Sequence, residues 1–242
     1  MPYEPKSKSF ASLRPLLDRG EYDEAIKQFE STGDANGISA EYVPLIIDIY
    51  WGTKDIDAVV RLAHAAMAYC QRHADASADE ALQKKLHLRA KSTAYNLGSF
   101  TWPGWNEPGV ALTPEHVRAG YDAARQNLEL AQALDRPPSA MSNAWWLLGA
   151  HHMTAGELDG AIDAFTRSVS FAQEAGKADG AAMARGYAAI TRMLTGNPGA
   201  DASFERTCSE LEAMNEEDSA FFAQQFRDVR QYLQKQQQTS VR

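Results

Sequence analysis

Ala144-Trp145-Trp146-Leu147-Leu148-Gly149-Ala150-His151-His152 leads, three residues later, into Gly156-Glu157-Leu158-Asp159-Gly160-Ala161-Ile162-Asp163-Ala164-Phe165. In both stretches apolar residues recur three and four apart, which places them on one face of a helix. Gly156 between them suits a tight turn, because glycine enters left-handed backbone without steric cost. Two helices joined so briefly lie antiparallel and side by side. Gly149 and Ala161 are small where the pair must cross closely, and Trp145, Leu148 and Phe165 fill the seam around them.

The same pattern recurs outward from this pair. Leu17-Asp18-Arg19-Gly20-Glu21-Tyr22-Asp23-Glu24-Ala25-Ile26 precedes Phe29. Ile46-Ile47-Asp48-Ile49-Tyr50 is followed by Asp55-Ile56-Asp57, then Val59 and Ala63, and Ala25 and Val59 stand 34 positions apart. Tyr95-Asn96-Leu97-Gly98 precedes Ala124, Leu128, Ala131 and Pro137, and a fainter copy carries Tyr187, Gly196 and Phe204. A repeat of this length is one helical hairpin, too thin to bury its own apolar face, so neighbours must stack.

These residues resemble the tetratricopeptide repeat superfamily: Trp, then Leu-Gly, then a turn of Gly-Glu-Leu-Asp, then Ala-Ile and an aromatic. The likeness covers most of Phe10 to Met214. His152 stands where that family usually has Tyr, and Gln173 where it often has Pro. The resemblance implies an all-α fold, a right-handed α-solenoid of about five antiparallel helix pairs plus a C-terminal capping helix. As one domain over 1–242, the expected pairs are 8–33, 38–73, 79–135 with an inserted loop at 99–112, 139–175 and 178–214, and the capping helix is 218–238. Thr113-Pro114-Glu115 reads as a helix start, with a cap, a first-turn proline and an acid near the positive helix end. Ser142 or Asn143 marks an early turn of the helix that follows. The last helix has Phe222, Phe226, Val229 and Leu233 on one stripe, a cap at Asp218 or Ser219, and Glu216-Glu217-Asp218 as negative charge at its N-terminus.

Composition narrows the function. A net charge of −8 and a pI near 5.3 disfavour nucleic acid and anionic membrane as partners. No run approaches the roughly 18 apolar residues of a membrane span, and no leader is visible at Met1–Ser9. Cys70 and Cys208 are too few for a disulfide framework and read as small core residues, so a cytoplasmic setting is expected. No phosphate-binding glycine loop, nucleophile elbow or HExxH appears. His151-His152 is the chemically suggestive pair, but adjacent residues on a helix point about 100° apart and share a metal poorly. A packed histidine at 152 is favoured, and the expectation is no enzyme, no cofactor and no metal.

The insertion Ser99-Phe100-Thr101-Trp102-Pro103-Gly104-Trp105-Asn106-Glu107-Pro108-Gly109-Val110-Ala111-Leu112 breaks the pattern. Its prolines and glycines prevent a continuous helix, and loops this long inside a domain are often functional. Its three large rings either pack down as a compact cover, or Trp102 and Trp105 form part of a binding wall or anchor a second subunit.

In the family resembled, the first helix of each pair lines the concave face where peptides dock. Carried over by register, the candidate contacts are Tyr95, Asn96, Trp146, Leu147, Met153, Tyr187 and Ile190, joined by Trp102 and Trp105 of the loop. Ala150 and Met193, and from earlier copies Arg14, Leu45, Asp48 and Trp51, lie on the same register. Each residue also fits the core, since a slip of one position exchanges core for groove. The expected function is non-enzymatic binding of a peptide or helix of a protein partner in an apolar, aromatic groove. A homo-oligomeric scaffold, with a homodimer as its simplest form, and a small-molecule sensor with the 99–112 loop as a lid are the alternatives.

Overall fold

The computed structural model describes residues 3–214 and 219–240, with side chains described for 3–214 and 221–236. Among these residues the regular structure is entirely helical: α1 Phe10–Leu17, α2 Tyr22–Glu30, α3 Ala35–Thr53, α4 Ile56–Ala76, α5 Glu80–Phe100, a single 3-10 turn Pro103–Trp105, α6 Pro114–Ala133, α7 Pro138–Thr154, α8 Leu158–Glu174, α9 Ala178–Leu194, α10 Ala200–Ala213 and α11 Ser219–Ser240. Each expected pair holds two helices, and the closing helix is α11. The cap at Asp218 and the acidic run Glu216–Asp218 lie outside the described residues.

Local chemistry explains the boundaries. Asp34, Asp55 and Asp79 each sit just before a helix and accept a first-turn N–H, from Gly37, Ala58, and both Ala81 and Leu82 respectively. Thr113 caps α6 ahead of Pro114, and the reciprocal partner is His116: its Nδ1 accepts the Thr113 N–H at 3.2 Å. Nδ1 is therefore the bare nitrogen, and Nε2–H donates to Asp57 Oδ1 at 2.9 Å, tying the start of α6 to the start of α4.

Helix ends share one device. At Gly156, φ is +79°, its N–H bonds to Met153 O, and the N–H of Glu157 bonds to His152 O. The same two hydrogen bonds recur around Gly20, Gly176 and Gly196, each with positive φ. Left-handed backbone closing both orphan carbonyls is the Schellman arrangement. It closes α1, α7, α8 and α9, whereas α3 ends at Lys54 in left-handed backbone.

The chain divides into two compact units. The first holds residues up to Thr101 together with Pro108–Leu134; the second holds Trp102–Glu107 and the chain from Asp135 onward. In the first, Tyr42 is fully buried, edge-on to Phe29 at 4.7 Å and tilted to Tyr69 at 6.0 Å, among Leu45, Ile46, Ile49 and Leu62. In the second, α7 and α8 cross at Gly149, where a Cβ would lie 2.9 Å from the Phe165 ring, and Ala161 is fully buried. Gly98, Gly149 and Ala161 are all buried, as close crossing requires.

The 99–112 insertion is not one continuous loop. Ser99 and Phe100 complete α5, with Phe100 stacked on Tyr50 at 4.0 Å, and Val110 and Leu112 pack half-buried on the core of the first unit. Trp102–Glu107 belongs to the second unit.

Candidate functional site

The second unit brings the sequence-selected aromatics together. Trp102 precedes the 3-10 turn, and Gly104 lies so close under its ring that no Cβ fits there. The indole Nε1–H donates to the backbone oxygen of Ala150 on α7 at 2.9 Å. Trp102 stands edge-on to Trp105 at 4.7 Å, to Trp146 at 6.0 Å and to Tyr187 at 5.8 Å. Tyr187 also meets Trp146, Phe165 and, from α11, Phe226 at 5.2 Å. Gly186 makes room for the Phe226 ring.

This assembly is core. Trp102, Trp146, Leu147, Met153, Tyr187 and Ile190 are each 4% exposed or less. Burial pushes the Tyr187 phenol far above its usual range, and its hydroxyl donates to Gln225 Oε1 at 3.3 Å. The inner face of α7 and α9 is covered by the chain's own Trp102–Glu107 segment and by α11, so these side chains line no open groove in this structure. Of the loop's tryptophans, Trp105 alone reaches partway to the surface. Within the second unit the compact-cover reading of residues 102–107 matches what is seen.

Ala150 is fully buried and Met193 half-buried in the same unit, and the remaining candidates belong to the first. Tyr95 and Asn96 are half-buried on α5; Asn96 Nδ2 donates to Ser92 O at 2.8 Å within its own helix, and Lys91 Nζ lies 5.7 Å over the Tyr95 ring. Burial raises the Tyr95 phenol. Arg14 pairs with Asp18 along α1, and Leu45 is buried. Trp51 is 44% exposed, with Lys54 Nζ 4.3 Å over its ring. Asp48 is fully buried.

A surface feature that sequence reasoning missed lies in the second unit, a cleft of about 220 Å³ where the first turns of α7 and α9 meet the start of α11. Ser139, Ser142 and Asn143 line it from α7, Lys177, Asp179, Gly180 and Met183 from the start of α9, Ala172 from α8 and Phe222 from α11. Met183 and Phe222 are half-buried in its lining, which also carries the Ser139 and Ser142 hydroxyls, the Asn143 amide, the Lys177 ammonium and the Asp179 carboxylate. Asn143 and Phe222 were both visible in the sequence, one as marking an early turn of α7 and one on the α11 stripe. Their convergence with Lys177 was not, because it depends on how three helix starts pack.

The histidine pair behaves as separate residues. His151 is buried, whereas His152 shares a 2.6 Å hydrogen bond with Glu157 and its ring rests on Gly160. Among the described residues no cluster of three His, Cys, Asp or Glu side chains could hold a metal ion. Cys70 and Cys208 are free and buried, and burial pushes the Cys70 thiol up to about 11.

The sequence matches no known family profile and no curated protein. Among the described residues no helix is long and apolar enough to cross a membrane.

Proposed function

We propose that this chain is a non-enzymatic binding module of the tetratricopeptide-like kind, a right-handed array of helix pairs that takes a peptide or helix of a protein partner. The successive hairpins, the glycine turn repeated at four helix ends and the small-residue crossings support that architecture. The cytoplasm is the setting we propose, in keeping with an acidic surface charge and two unpaired thiols.

The observation that carries the binding reading is the cleft between α7, α9 and α11. It joins half-buried apolar side chains to hydrogen-bonding groups at the rim, the composition of a site that anchors one apolar side chain of a partner and orients its backbone. The closed aromatic cluster beside it holds the walls rigid, and a preformed wall loses little freedom on binding.

The test is capture of a partner by the full chain, followed by its affinity for Met183→Asp and Lys177→Glu variants. The reading expects at least a tenfold loss with each, at unchanged helical content and melting temperature. Unchanged affinity in both folded variants places the contact elsewhere.

A further inference from the structure

Asp48 is fully buried in the middle of α3, and among the described residues no cation pairs with it. A carboxylate stripped of water must find donors inside the protein. All of those seen come from one short stretch more than forty residues away. The Tyr3 hydroxyl donates to Oδ1 at 2.5 Å, the Lys6 N–H reaches both oxygens at 3.0 and 2.9 Å, and the Ser7 N–H donates to Oδ2 at 2.6 Å. Burial and the bond to Asp48 push the Tyr3 phenol up to about 12, in keeping with a hydroxyl that keeps its proton and gives it to the carboxylate.

The stretch is held by little else. Residues 3–6 are exposed and belong to no helix, and Ser7 is the first buried residue of the run. The Tyr3 ring rests on Gly52, where a Cβ would come within 3.6 Å of it, and exposed Trp51 stands next to that glycine. Segments with few buried apolar contacts open at far lower cost than the helices beneath them. Were it to open with α3 in place, it would uncover a carboxylate close to Gly52 and exposed Trp51.

We propose that this face of α3 is a peptide-binding site filled in cis by Tyr3–Ser7. Its ligand class is an extended segment that offers a tyrosine hydroxyl and, three and four residues later, two successive backbone N–H groups. Proline at either of those two positions is excluded, because it has no N–H to give. The α7–α9–α11 cleft plays no part in this inference.

The probe is a labelled nonapeptide with the sequence of residues 1–9, titrated into the full chain by fluorescence anisotropy. A Tyr3→Phe, Lys6→Pro double variant removes two of the donors in cis and frees the site for the probe. The proposal expects the probe to bind this variant at least tenfold more tightly than the unaltered chain, and expects Asp48→Asn added to it to abolish that gain. Equal, weak binding to all three folded proteins overturns it. Should the double variant fail to fold, amide exchange in the unaltered chain decides. Lys6 and Ser7 amides exchanging much faster than those of α3 support a segment that leaves on its own, and exchange only with global unfolding makes it part of the core and ends the proposal.

Discussion

Trp102 donates its indole N–H to the backbone oxygen of Ala150, a residue 48 positions later, near the C-terminal end of α7. That bond and the ring contacts around it fix residues 102–107 on the inner face of the second unit. Replacing Trp102 with Ala should cost about 3–5 kcal/mol, the range for emptying a large buried aromatic site. Replacing it with Phe keeps a ring but loses the donor, and should cost about 1 kcal/mol from the hydrogen bond before any repacking. Urea unfolding of both variants measures the difference.

Glycines separate by what surrounds them. At Gly149 an added carbon meets the Phe165 ring at 2.9 Å, so Gly149→Ala should destabilise by about 1–3 kcal/mol through overpacking. At Gly180 the nearest atom to an added carbon is 3.6 Å away, and the residue is helical. Gly180→Ala should be neutral or stabilise by up to about 1 kcal/mol, the propensity difference. Thermal melts of the two variants should move in opposite directions or differ clearly in size.

Tyr22 should leave a mark at alkaline pH. Its phenol is pushed up to about 12 by burial and by Asp55, whose carboxylate accepts its hydrogen bond at 3.1–3.2 Å. The folded state therefore holds that proton more tightly than the unfolded chain. The resulting stabilisation is full below about pH 10, the unfolded value, and disappears as pH rises through about 12. The stability gap between the wild type and Tyr22→Phe should be constant up to pH 10 and shrink above it. A gap that widens between pH 10 and 12 contradicts the geometry.

Both thiols should be inert in the folded protein. Each cysteine is 1% exposed, and burial raises both thiols, holding them in the protonated form that reacts poorly. A thiol reagent at pH 8 should modify neither in native buffer and both in denaturant.

The architecture was legible because hairpin stacking leaves marks in single residues. Gly149 must be small to meet Phe165, and Gly156 must accept a left-handed turn, so their spacing from Ala161 carries the geometry of the pair. Register placed Trp146 and Tyr187 on one face, and both do meet in one cluster with Trp102. It could not say what covers that face. The cover consists of Phe226 on α11 and a three-residue turn at Pro103–Trp105, and neither has a local pattern that names its seat. Asp48 was placed on the groove register of α3, but its donors lie more than forty residues away on a stretch without periodicity, so its burial was invisible.

The inner face of the second unit is closed by the chain itself, and the cleft between α7, α9 and α11 stays open beside it. The five tryptophans give five indole N–H signals in a nitrogen-correlated NMR spectrum, and their exchange with deuterated water reads closure directly. The Trp102 and Trp146 signals should persist long after that of exposed Trp51 has vanished. Loss of the Trp102 and Trp146 signals as fast as that of Trp51 would show that the face is open after all.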